Sequence, residues 1–265
     1  MKRILLQVEY DGTAYSGWQW QANALSVQQT LEEALALATG APVRATGSSR
    51  TDAGVHARCQ MVHFDTDSRI PADKYPFVLN TMLPDDIRVI SGREVPADFH
   101  ARFLSSGKTY TYRILNSRHG SAILRNYCWH VPVPLNTDAM HSALPALLGT
   151  HDFAAFQAAG GTAKTTIRTI DCAVLTRKDD LLTLTISGNA FLYNMVRIIA
   201  GTLAEIGLER LSPDAFSLAL SGGTRLDLGM TAPAHGLELT EVRYPPEAFT
   251  DPASLRWHTE DPSLL

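Results

Sequence analysis

Residues 47–57, Gly-Ser-Ser-Arg-Thr-Asp-Ala-Gly-Val-His-Ala, hold the side chains best suited to chemistry. One carboxylate, Asp52, stands between Arg50 and His56, with Gly47 and Gly54 on either side. Glycine lets a backbone turn tightly or approach a ligand, and polar loops held between buried elements commonly carry function. A loop aspartate more often serves an Asx-turn or caps a backbone N–H. Here Arg50 is close enough in sequence to pair with the carboxylate, small neighbours leave room for a substrate, and an unusual cation occurs far along the chain. That cation is Arg197, the only charged residue between Asp180 and Glu205, set among Phe191, Val196, Ile198 and Ala200. A guanidinium in such company either snorkels to the surface or needs an anion, because an unpaired buried charge is costly. Its functional reading is a pairing with a carboxylate in a reaction site.

Other groups carry less specific signals. Tyr110 and Tyr112 are two apart and share one face of a strand. Their rings either fill a core or stack on bases. His56 and His63 near Asp52 lack a third ligand at a useful spacing, so no metal is expected. Residues 101–137 contain no Asp or Glu but hold Arg102, Lys108, Arg113, Arg118 and Arg125, and Arg44, Arg50 and Arg58 surround the Asp52 loop. Such a run is either a solvated face or a surface that follows phosphates. The formal net charge of the 265 residues is −4, so any nucleic-acid footprint is local.

The elements that must position these groups follow from periodicity and punctuation. Residues 3–10 alternate as a strand and end at Asp11-Gly12. Ser26 reads as an N-cap with Gln29 completing a capping box, and Val27, Leu31, Ala34, Leu35 and Ala38 give one apolar helix face before Gly40. Short strands are expected at 43–46, 60–65 and 87–90, with a helix at 73–82 interrupted by Pro76. This β-α-β-β-α-β order over residues 1–104 is the split βαβ pattern of ferredoxin-like domains, with the Asp52 loop between its second and third strands. Residues 105–245 again mix the two types: strands at 108–116, 127–133, 165–176, 181–187 and 237–242, and helices at 138–148, 190–206 and 212–220. Residues 246–265 are rich in Pro and Asp and read as a loosely docked tail. The length fits one large domain or two ordinary ones. Three cysteines without a Cys-x-x-Cys pair suit reduced thiols in a cytoplasm. The run at 4–6 is too short for a signal peptide, and residues 181–204 are too interrupted for a membrane span.

Five ordered motifs resemble the tRNA pseudouridine synthase A family: Glu-Tyr-Asp-Gly-Thr at 9–13 leading to Gly-Trp-Gln at 17–19, Arg-Thr-Asp-Ala-Gly-Val-His-Ala at 50–57, Asp-Phe-His-Ala-Arg-Phe at 98–103, Lys-Thr-Tyr-Thr-Tyr at 108–112, and Asn-Ala-Phe-Leu at 189–192 with Met-Val-Arg at 195–197. Ser49 replaces the family's usual glycine, and Tyr193-Asn194 stands where two histidines are common. The resemblance implies an α+β fold of two ferredoxin-like halves joined through one extended mixed sheet, with a central cleft. It also implies isomerisation of uridine to pseudouridine at positions 38, 39 and 40 of the tRNA anticodon stem-loop, without a cofactor, by a homodimer. Asp52 would be the nucleophile and Arg197 its partner. Tyr110 would stack on the target base and could remove its C5 proton. Arg50 would fill the space of the flipped nucleotide and contact phosphate. Leu192 would pack against the uracil, and His56 would join the substrate-contacting set. The rival reading is a non-catalytic RNA-binding module or RNA chaperone, which would need the arginines and tyrosines but not Asp52.

Overall fold

A computed structural model of the chain describes residues 1–249. The first half runs β1 (Lys2–Tyr10), α1 (Val27–Thr39), β2 (Thr46–Gly47), β3 (His56–Thr66), α2 (Tyr75–Leu79) and β4 (Ile87–Val95). The second runs β5 (Gly107–Leu115), β6 (Trp129–His130), α3 (Thr137–Ala143), β7 (Gly149–Asp152), β8 (Ile167–Lys178), β9 (Leu181–Gly188), α4 (Met195–Gly207), α5 (Ala215–Leu220) and β10 (Leu237–Arg243). All ten strands form one mixed sheet in the order β4-β1-β3-β10-β5-β9-β8-β7, with β2 paired to β3 and β6 to β5.

Each half repeats one strand order. In the first, β1 lies antiparallel between β4 and β3, and β2 pairs antiparallel with β3. In the second, β5 lies antiparallel between β10 and β9, and β8 pairs antiparallel with β9. The halves join where β10 runs parallel to the start of β3, with Glu238 opposite His56 and Leu239 opposite Ala57. That junction exists because β2 is only two residues long. It covers β3 at Val62 and His63 and leaves the edge at His56 for β10.

Local signals act largely as their chemistry requires. Ser26 Oγ accepts from the Gln29 N–H at 3.2 Å, and Gly40 ends α1 in the left-handed region at φ 76°. The reciprocal half of the capping box is replaced: the Gln29 amide donates to Glu33 instead. Val27, Leu31 and Leu35 are fully buried on the face that the spacing predicts, each worth about 1.5–3 kcal/mol of transfer free energy.

Several boundaries differ from expectation. The strand placed at 43–46 lies at Thr46–Gly47, and the one placed at 60–65 begins at His56, which shortens the Asp52 loop. The helix at 73–82 reduces to a 3-10 turn, Ala72–Lys74, and five residues of α2. Pro76 sits in its first turn, where a missing N–H costs little. The strand at 127–133 pairs only at Trp129 and His130. The helix at 138–148 becomes α3 and a 3-10 turn from Leu144 to Leu147, and Gly149 opens the unforeseen strand β7. The helix expected from 190 begins at Met195, because Asn194 takes the left-handed conformation at φ 61°. The tail is docked at its start: Phe249 is buried against Phe99 and Tyr244, with ring centroids at 5.6 and 5.8 Å. The rest of that stretch lies outside the described residues.

Candidate active site

The Asp52 loop is held from three sides by backbone. The Trp18 N–H donates to Thr51 O at 3.1 Å, the Gly54 N–H to Tyr15 O at 3.3 Å, and the Val55 N–H closes a turn on Asp52 O at 3.1 Å. Gly17 has φ 85°, and a Cβ there would collide with the Thr51 carbonyl oxygen. Only glycine satisfies both demands. Below the loop, the fully buried Gln60 of β3 donates its amide to Ser49 O at 2.7 Å and accepts from the Ser48 hydroxyl and the Ser49 N–H. A buried amide with its groups satisfied is a rigid support. Gln60 was not foreseen, although a glutamine inside an apolar strand was its visible signal.

Asp52 meets Arg197. Arg197 Nη1 donates to Asp52 Oδ2 at 3.0 Å, across 145 residues of sequence. The same nitrogen donates to Asn194 Oδ1 at 2.9 Å, and Nε donates to Ala232 O at 2.8 Å. The two side chains are 18% and 27% exposed, so the pair is partly dry but open on one side. Arg197 stands in the first turn of α4, where a cation opposes the helix dipole. Helix stability therefore does not account for it, and the carboxylate does. Asn194 frees its side chain for Arg197 by leaving α4 without a side-chain cap bond. Asn194 was marked only as a departure from the family's pattern, and no sequence signal marked the Ala232 carbonyl.

Tyr110 lies on β5, buried, with Phe191 edge-on at 5.1 Å. Burial pushes its hydroxyl up to about 12. The nearby Ser49 hydroxyl opposes that rise, and the Asp52 charge adds to it. Ser49 Oγ approaches Tyr110 without completing a hydrogen bond and is otherwise unpaired. Leu192 is buried in the turn before α4, where its carbonyl accepts from the Met195 N–H. Tyr112, by contrast, is fully buried and donates to Pro233 O at 2.8 Å, a structural role.

Three expectations need correction. Arg50 is exposed and makes no ion pair with Asp52 among the described residues, because the loop aims its side chain into an adjoining cleft. His56 is not open to a ligand. Its Nδ1 accepts from the Gly12 N–H at 3.0 Å, and Nε2 is 2.8 Å from Asn126 O and 3.2 Å from His235 O. It is a buried strut between the two halves. His63 is similarly engaged, its Nδ1 accepting from the Ala101 N–H at 3.1 Å. Arg113 is drawn from the basic surface into an ion pair with Glu238 at 3.0 Å, a residue that Arg58 also contacts.

A carboxylate fixed by an arginine beside a buried tyrosine, at the edge of an open cleft, suits attack on an electrophilic carbon of a planar base or its sugar. The comparisons with known proteins identify the family. A family model described as tRNA pseudouridine synthase matches residues 6–104 and 143–245. A tRNA pseudouridine synthase A of Thermoanaerobacter sp. (strain X514) is 45% identical over 244 residues, covering 92% of this chain and all of the relative. That of Ruminiclostridium cellulolyticum is 48% identical over 245 residues, with 92% and 100% covered. That of Halalkalibacterium halodurans is 49% identical over 238 residues, with 89% and 90% covered. Matches of this extent run through both halves, and the chain belongs to the tRNA pseudouridine synthase A family, as an isomerase that forms pseudouridine in tRNA.

Proposed function

We propose that the chain converts uridine to pseudouridine at positions 38, 39 and 40 of the anticodon stem-loop, with Asp52 as the nucleophile. The Asp52–Arg197 ion pair carries this reading: it joins the two halves and holds a partly exposed carboxylate in one orientation. Asp52 attacks either C1′ of the ribose or C6 of the base. The N1–C1′ bond breaks, the base turns, a C5–C1′ bond forms, and the bond from Asp52 to the attacked carbon breaks to release the free carboxylate. The C5 proton is lost and N1 gains one, so the reaction is redox-neutral and needs no cofactor. Tyr110 offers its ring to the uracil. Burial keeps its phenol protonated, which favours stacking and hydrogen bonding over a phenolate base. Leu192 packs against the base, and Arg50 enters the space of the flipped nucleotide.

The finer architecture belongs to the same reading. The shared orders β4-β1-β3-β2 and β10-β5-β9-β8 support two ferredoxin-like halves, 1–104 and 105–245, around the cleft. The free thiols of Cys59, Cys128 and Cys172 support a cytoplasmic setting, and no helix among the described residues is long and apolar enough to cross a membrane. Incubation of an unmodified tRNA transcript with the purified protein, followed by mass-spectrometric mapping, should place pseudouridine at 38–40, and excess EDTA should act only through tRNA folding. Product confined to other positions would overturn the target assignment.

Charge supports a homodimer. An acidic chain with local basic surfaces binds RNA best when two copies combine those surfaces. Arg118 and Arg125 are exposed and available for this. Light scattering at working concentrations should report twice the chain mass, and an active monomer would sink the idea.

A further inference from the structure

Beside the Asp52 loop lies a cleft of about 420 Å³, within the range of small-ligand sites. Trp20, Arg44, Arg50, His100, Arg102 and Phe103 are among the residues that line it. No carboxylate lines it among the described residues. Phe103 is 74% exposed and Trp20 43%, so two large rings are kept in water where a core would hide them. The Phe103 platform is built. Its ring stacks on His100 at 4.1 Å, Arg102 lies 5.8 Å from its centroid, and His100 Nδ1 accepts from the N–H groups of both Arg102 and Phe103.

Charge points the same way. Arg102 has no ion-pair partner among the described residues. Within its electrostatic reach is Lys108, buried on β5, whose Nζ meets only the Ser105 hydroxyl at 3.2 Å. Burial and the Arg102 charge push Lys108 down to about 8. Arg102 is exposed at the cleft with no carboxylate in the lining, an arrangement open to an external anion. Exposed rings beside unneutralised cations fit a base and its phosphate, and stacking tolerates any base.

We infer that this cleft is a second RNA subsite that takes one unpaired nucleotide next to the reacting uridine, its base on Phe103 and Trp20 and its phosphate on Arg102. The inference rests on the proposed function, since the reacting uridine defines the neighbour. Phe103 and Trp20 are exposed, so truncating either ring leaves the core intact.

The test uses the full chain, a fluorescein-labelled single-stranded RNA hexamer in anisotropy titrations, and an unmodified tRNA transcript for turnover. Phe103→Ala, Trp20→Ala and Arg102→Gln should each weaken hexamer binding by about 10-fold and raise KM for the transcript in step. Arg102→Gln should also flatten the salt dependence of binding by about one unit of slope. Phe77→Ala, another exposed ring on α2, is the control and should change neither. Hexamer affinity and KM within two-fold of the parent in all three cleft variants would overturn the subsite while leaving the proposed function standing. Selective losses in hexamer binding, from a parent that forms no pseudouridine at 38–40, would keep the cleft as an RNA site and remove the target assignment instead.

Discussion

Asp52→Asn is expected to lower turnover by about 10⁴-fold or more while tRNA affinity stays within about three-fold of the parent. The loop does not depend on the charge for its shape. Its hold comes from the backbone contacts of Trp18, Gly54 and Val55 and from the Gln60 amide below. Asn keeps an oxygen for Arg197 Nη1, so the site loses a nucleophile and little else. A neutral amide neither forms the covalent bond nor accepts a proton. An RNA chaperone shows no such split, because binding is then the whole function. Affinity and pseudouridine formation measured side by side decide the matter, and comparable product from the variant would remove Asp52 from the chemistry.

Arg197→Met should reduce turnover by about 10²-fold or more, the scale of losing one preorganised charged donor in a catalytic site. The Met side chain retains much of the packing of the arginine stem within α4. A stability loss of about 1–3 kcal/mol should accompany the change, because Ala232 O and Asn194 Oδ1 lose their donor and Asp52 its partner. The loss stays below that of a fully buried pair, since Asp52 is 27% exposed and water reaches it. Arg197→Lys restores charge without the three-way geometry and should recover only part of the rate. Thermal melts separate folding from chemistry. Near-parent turnover of Arg197→Met at a temperature well below its melting point would show that the ion pair is only a fastening.

The candidate nucleophile and its distant partner were both legible before any coordinates, for different reasons. Asp52 stood out because one carboxylate sat in a small-residue loop, and Arg197 because a lone cation sat in an apolar helix. The residues alone left both Arg50 and Arg197 open as partners of Asp52; the family resemblance named Arg197, and the folded chain pairs it. Arg50 is the nearer in sequence, yet loop geometry turns it into the neighbouring cleft, and the cation 145 residues away takes the carboxylate. His56 misled because a histidine near a reactive aspartate looks functional. Its ring nitrogens instead satisfy the backbone of Gly12, Asn126 and His235, groups that meet only in the folded chain.

Local decisions are written in the chain: the capped ends of α1, the existence of β1, β5 and β9, and the polar Asp52 loop between buried strands; the alternation read for β1 is not kept, because Ile4 to Val8 are all buried. Each depends on side chains within a few residues of one another, where backbone sterics and hydrogen bonding act directly. Tertiary structure alone decided where β10 enters the sheet, how far β2 extends and where α4 begins. Strand pairing is set by edges that become available only when the partner strands have formed. β2 stops after two residues, and β10, from the far end of the described chain, completes the freed edge of β3 and joins the two halves beside the Asp52 loop. The start of α4 is fixed in the same way: Asn194 takes a left-handed turn whose side chain serves the Asp52 partner, a demand that no local propensity encodes.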